Sequence, residues 1–281
     1  MRAIESMAME VLNHDELAAI LGDLAIETHS NAMTTQSPDW QIAKDVFVSL
    51  AENRLFFRHE MICAVDAPTD ILYSEMLVRM KVDDQVLLPG RFIPALERLS
   101  LMRPFDRFVL GRTLDALRAI PGKHLGCNVS AQSVRDDHWW KSLFLELAAE
   151  PEVASRLVVE ITESAPVSPV DGRAFVQRLR RLGVRVAIDD FGAGFSADAA
   201  RMCEPDIIKI DRSFLRHVRL GTLCIPEFDR LVRVAQDIAP IVVVEGVETP
   251  DDVRIARDAG APWIQGYYIN APDAPASIET D

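Results

Sequence analysis

From residue 55 onward, short apolar runs alternate with segments in which apolar residues recur every three to four positions. The runs are LFFRHEMICAV (55–65), ILYSEMLVRM (71–80), HLGCNVS (124–130), RLVVEIT (156–162), RVAIDD (185–190), DIIKID (206–211), IVVVEG (241–246) and WIQGYY (263–268). Runs of this length, rich in Val and Ile, predict buried strands, and the intervening 3.6-residue period predicts helices. Phe175, Leu179 and Leu182 share one such helical face, FDRLVRVAQDI (228–238) carries another, and Gly183 and Gly260 sit where helix C-caps belong. Eight strands with helices between them over about 230 residues predict a TIM-like (β/α)8 barrel. A doubly wound open sheet is the competitor, but it favours a glycine-rich phosphate loop after its first strand, and none is present.

Upstream, residues 8–26 place Val11, Leu12, Leu17, Ile20, Leu21 and Leu24 at helical spacing. THSNAMTTQSPDW (28–40) is polar and turn-rich. The expected organisation is therefore a short N-terminal helical extension with its linker (1–40), followed by the barrel domain (41–281). The extension reads more readily as a helix covering the domain than as a separate function.

Composition narrows the function classes. Of 281 residues, 49% are hydrophobic, which suffices for a large core. The 30 basic and 43 acidic residues give a net charge of −13, which argues against DNA or an anionic membrane surface as partner. Cys63, Cys127, Cys203 and Cys224 form no CxxC pair, so neither a zinc site nor a disulfide framework is expected. No apolar run reaches the roughly 18–20 residues of a membrane helix, and the first residues lack a signal peptide's apolar core. A cytoplasmic location is expected.

Polar residues fall in a repeated place: Glu75, Asn128, Glu160, Asp189, Asp190, Asp211, Glu245 and Gln265 lie in or at the end of apolar runs. A carboxylate in a buried strand is costly unless it is paired or binds a cation. One such residue reads as a satisfied structural acid; repetition over seven strands does not. In a parallel barrel the C-terminal strand ends converge on one face. Oxygen ligands without His or Cys suit Mg²⁺ or Mn²⁺, and the adjacent Asp189 and Asp190 can serve two cations a few ångström apart. Lys209 adds a fixed positive charge. The residues alone therefore predict metal-assisted hydrolysis of a phosphoester.

These segments resemble the EAL-domain family of cyclic di-GMP phosphodiesterases. SEMLVR (74–79) is similar to the EALxR signature, and CNVSAQSV (127–134), VVEITES (158–164), IDDFGAGFS (188–196), PDIIKIDRSFL (205–215), VVVEGVET (242–249) and IQGYY (264–268) follow in the family's order. RFIPALERL (91–99) resembles its FIPxAE segment, and the resemblance spans roughly residues 50–272. It implies that Glu75, Asn128, Glu160 and Asp189 hold one Mg²⁺ or Mn²⁺. Asp189 then bridges to a second, held also by Asp190 and by Glu245 directly or through water. Lys209 is implied to orient the attacking water, with Glu75 and Glu245 in the catalytic set. Leu77, Arg79, Gln265 and Asp211 are implied on the substrate side, and Glu163 and Glu248 as supports of the loop at 191–203. The implied reaction opens one phosphodiester of cyclic di-GMP to give pGpG, in a homodimer formed through the loop face, with an unidentified regulatory protein partner left open.

Several positions depart from the pattern: Met76 for Ala beside Glu75, Ala193 and Phe195 for Thr and Tyr, and a loop from Asp189 to Lys209 about one residue shorter than usual. The YQPI segment has become FFRHEMI (56–62), so the guanine-contacting Gln is absent; Arg58 or His59 could stand in, though His59 reads more readily as a rim or core residue. YINAPDAP (268–275) lacks a basic residue before its proline. Trp139–Trp140 reads as cover for a helix entry and Trp263 as packing. Because every metal position is filled, an active phosphodiesterase is favoured over a non-hydrolysing cyclic di-GMP receptor acting through a protein partner. A pure interaction module ranks third.

Overall fold

The computed structural model describes residues 37–162, 169–193, 200, 201 and 203–270. The helix expected over 8–26 lies outside these residues, as do Glu163, Phe195 and the motif at 271–275. The chain divides into two compact units: a smaller one of residues 37–58 and 77–112, and a larger one that comprises 59–76 and everything from 113 onward.

In the smaller unit, helix α1 (Pro38–Ala51) starts where Ser37 accepts a hydrogen bond from Trp40 N–H at 3.2 Å and Pro38 supplies a preset φ. Its buried face is Ala43, Val46, Phe47 and Leu50. Asp39 on its first turn accepts a two-pronged contact from Arg98 at 2.6 and 2.7 Å. Arg98 ends helix α2 (Ile93–Arg98). Strand β1 (Leu55–Ala64) begins in this unit and strand β2 (Ile71–Val82) ends in it, where β2 turns through residues 83–84 into a short antiparallel strand, β3 (Gln85–Leu87). Helix α3 (Met102–Ala119) continues from it into the larger unit.

The larger unit closes the barrel. The order is β1, β2, β4 (Leu125–Ser130), β5 (Leu157–Thr162), β6 (Arg185–Phe191), β7 (Ile207–Ile210), β8 (Ile241–Val244) and β9 (Trp263–Gln265), which returns to β1. Strands β2 and β4 to β9 pair in parallel. The parallel expectation fails for β1, which pairs antiparallel with β9, Ile62 opposite Gln265. The cause is the connection: only six residues join β1 to β2, enough for a hairpin and too few for a crossover. The last run is also shorter than expected. β9 stops at Gln265, because Gly266 takes a positive φ of 157° and residues 267–270 turn helical.

One layer of the barrel interior is apolar: Ile62, Tyr73, Val158, Ala187, Ile207 and Val243 are fully buried, with Trp263 packed against them. Outside the strands, Phe175 and Leu179 of the helix Pro169–Arg181 are buried, as the 3.6-residue period requires. Trp140 is also buried and donates its indole N–H to Ser133 O at 2.9 Å, ahead of the helix Lys141–Ala149. The two tryptophans thus mark a helix entry. None of the four cysteines is in a disulfide.

Candidate active site

The carboxylates at the strand ends converge on Lys209. Its ammonium is fully buried and lies 2.5 Å from Glu160, 2.7 Å from Glu245, 3.1 Å from Glu75 and 3.2 Å from Asp189. Each of these residues comes from a different strand or the residue after it, which is how a barrel builds one site from distant sequence. Two amides complete the arrangement around Glu75: Asn128 donates to one carboxylate oxygen at 2.6 Å and Gln265 to the other at 2.7 Å.

Asp189 and Asp190 are adjacent, and in a regular strand their side chains would face opposite sides. β6 breaks that rule at its end. Its register with β7 slips between Ile188 and Phe191, and Asp190 takes a left-handed φ of 53°. Such bulges re-aim side chains beside active sites. Both carboxylates consequently reach one place, and Asp189, Asp190 and Glu245 offer oxygens within 4.8 Å of one another. Glu75, Glu160 and Asp189 offer a second such set, so Asp189 belongs to both.

Burial and mutual repulsion raise the carboxyl pKa values of Glu160, Asp189 and Glu245, and Asp190 is pushed up to about 7 by burial and its neighbours Asp189 and Asp211. Glu75 is the exception. Burial pushes it up, but Lys209 and the amides of Gln265 and Asn128 hold it below the usual range. For Lys209, burial favours the neutral amine, and the ring of Asp189, Glu160, Glu245 and Glu75 overcomes this to hold it charged.

A divalent cation fits this donor set. Asn128 Oδ1, Glu160 Oε1 and Gln265 Oε1 are buried acceptors without a hydrogen-bond partner. Acceptors left without donors inside a protein are costly, and a cation satisfies them.

The remaining predicted residues fall around this cluster or apart from it. Asp211 caps the helix Arg212–Arg219 by accepting Ser213 N–H at 2.9 Å, and stands next to Asp190. Glu248 pairs with Arg219 at 3.1 Å. Met76 is buried one residue from Glu75, on the other face of β2. Leu77 and Arg79 belong to the smaller unit, where the Arg79 guanidinium donates to Val78 O at 2.9 Å. Arg58 also lies there and is exposed, as is His59 in the larger unit.

Sequence reading missed the support of Glu245. The next residue, Gly246, has φ 72°, and a Cβ there would meet Arg212 Cβ at 2.5 Å. Its carbonyl accepts Arg219 N–H at 3.2 Å, and the same guanidinium reaches buried Asp252 at 2.8 Å. Asp252 in turn accepts the N–H groups of Glu248 and Thr249 at 2.9 and 3.0 Å. The available signal was the capping pattern T-P-D-D at 249–252, which marks a helix start.

Comparison with known proteins places this architecture. The EAL domain family matches residues 44–272, and the chain belongs to that family. The cyclic di-GMP phosphodiesterase NbdA of Pseudomonas aeruginosa is 30% identical over 247 residues, covering 85% of this chain and 31% of its own. Cyclic di-GMP phosphodiesterase PdeF of Escherichia coli is 30% identical over 208 residues, covering 72% and 28%. The chain thus spans about a third of the length of the curated relatives it matches. Among solved structures, the PaMucR phosphodiesterase in complex with c-di-GMP superposes with TM-score 0.72 at 24% identity, covering 84% of this chain and 98% of that one. An EAL domain protein of Listeria monocytogenes gives 0.70 at 25%, covering 80% and 91%. At these identities the superpositions establish the barrel fold. Among the described residues no helix is long and apolar enough to cross a membrane.

Proposed function

We propose that this protein is a metal-dependent phosphodiesterase that opens cyclic di-GMP to linear pGpG. The observation that carries the proposal is the pair of overlapping oxygen-ligand sets sharing Asp189 around one buried lysine. Glu75, Asn128, Glu160 and Asp189 would hold one Mg²⁺ or Mn²⁺, and Asp189, Asp190 and Glu245 the other. When bound, such ions lower the pKa of water and neutralise charge developing on phosphorus.

The chain's own residues do the rest. Lys209, whose ammonium is held among Glu75, Glu160, Asp189 and Glu245, would orient the attacking water beside the ions. Asn128 and Gln265 donate to the two oxygens of Glu75 and so orient that carboxylate, while their own buried carbonyl oxygens have no hydrogen-bond partner and are available to a cation. Asp211 backs Asp190 from a helix N-cap. Arg79 and Leu77 are assigned to the nucleotide side by their place in the SEMLVR motif alone. The relatives' names support cyclic di-GMP as substrate.

The test is incubation of purified protein with cyclic di-GMP and Mn²⁺, following pGpG by chromatography. Product that depends on Mn²⁺ is expected. Metal-dependent binding without product would instead make the protein a receptor, and neither binding nor product would sink the reading.

A further inference from the structure

Glu160 stands on β5 directly opposite Asn128 of β4 in the parallel ladder, and Gly126 lies two residues before Asn128 on the same barrel-facing side. A Cβ built on Gly126 would collide with Glu160 Oε1 and would lie 2.5 and 2.8 Å from ring carbons of Tyr73. Tyr73, on β2, is almost completely buried in the apolar layer beneath the site. Two side chains from the flanking strands therefore share the one space that the missing side chain of residue 126 leaves open.

The two occupants differ in consequence. The Tyr73 ring is packing. Glu160 Oε1 is one of the unpartnered acceptors of the cluster, while Glu160 Oε2 is held by Lys209 at 2.5 Å. A carboxylate pinned at one oxygen and fully buried has no solvent to swing into. Any Cβ at 126 would rotate the free oxygen away from where it stands.

We propose that Gly126 is a positioning residue for the metal centre, acting through Glu160: its lack of a side chain sets where Oε1 points. The inference rests on the proposed role of Glu160 as a metal ligand. It implies that Gly126→Ala damages two separable things, packing through Tyr73 and metal affinity through Glu160. Relieving the first leaves the second.

The experiment measures Mn²⁺ affinity by calorimetry and the metal-free melting temperature for wild type, Gly126→Ala, Tyr73→Leu and the double variant Gly126→Ala/Tyr73→Leu. The expected result is a loss of Mn²⁺ affinity on the order of 10–100-fold in Gly126→Ala, the range found when supports of metal ligands are removed. Tyr73→Leu alone should bind Mn²⁺ within about threefold of wild type. The double variant should regain melting temperature relative to Gly126→Ala while its Mn²⁺ affinity stays low. Should Gly126→Ala fail to fold, the double variant carries the comparison. Recovery of wild-type Mn²⁺ affinity in the double variant, or undiminished affinity in Gly126→Ala, would overturn the inference. A wild type that binds no Mn²⁺ would instead overturn the metal reading on which it rests.

Discussion

Lys209 is the residue on which the site's electrostatics turn. Removing one partner of a buried ionic cluster leaves uncompensated charge and typically costs about 3–5 kcal/mol. Lys209→Met should therefore lower the unfolding free energy of the EDTA-treated protein by about that amount. The deficit should shrink when saturating Mn²⁺ replaces the lost positive charge; urea titrations with and without metal read this directly. Glu75 has the opposite relation to metal, because its carboxylate is the one most strongly held in the charged form. Glu75→Ala should reduce pGpG formation by about a hundredfold or more, since loss of a ligand exceeds the roughly 10–100-fold effect of losing a ligand's support. Full turnover in that variant would show that its assigned role is wrong. The identities of these residues were legible in the sequence, since a carboxylate recurring at strand ends has few inexpensive explanations. The backbone break that lets both Asp189 and Asp190 reach one site was not. Period-two alternation sends neighbours apart, and only the left-handed Asp190 reverses it.

At the scale of elements, the strand and helix rhythm gave the barrel because buried parallel strands and their covering helices have different periods. The direction of β1 was not read from that rhythm. An apolar run looks the same whichever way its strand lies, and the informative feature was the length of the connection to β2. The hairpin strand Gln85–Leu87 was missed for a related reason: three residues, mostly exposed, carry no period. Helix Pro250–Asp258 shows how a local signal fixes a site at a distance. Thr249 accepts Asp252 N–H at 3.2 Å, while Asp252 accepts two N–H groups from the loop that follows Glu245 and the Arg219 guanidinium from the helix Arg212–Arg219. Thr249→Ala should cost about 1 kcal/mol, the usual value of an N-cap. Asp252→Ala should cost about 2–3 kcal/mol, because it removes the buried carboxylate that accepts from Arg219 and leaves two N–H groups without an acceptor. Denaturant unfolding distinguishes the two, and equal losses would mean that the cap alone matters.

Across the whole molecule, the four cysteines divide by burial. Cys63, Cys127 and Cys203 are buried, burial pushes the Cys63 thiol up to about 11, and Cys224 is exposed. In native conditions an aromatic disulfide reagent should release about one equivalent quickly and the other three only on unfolding. Rapid release of all four would contradict the packing described. Chelation tests the larger claim: excess EDTA should abolish hydrolysis, and added Mn²⁺ should restore it. Hydrolysis that persists in EDTA would exclude the proposed chemistry.

The ring around Lys209 also sets an order of events. Glu75, Glu160, Asp189, Asp190 and Glu245, ionised, carry five negative charges against one ammonium. The excess of four equals the charge of two divalent ions. With both ions in place these six groups would balance, although Asp211 beside Asp190 adds a negative charge; with one ion they would still repel a ligand that bears two phosphates. On the proposed reading, nucleotide and the second cation are thermodynamically linked, so each must tighten the other's binding by the same factor. Cellular divalent ion concentration then becomes a gain control on how strongly the messenger is captured, built from charge count alone.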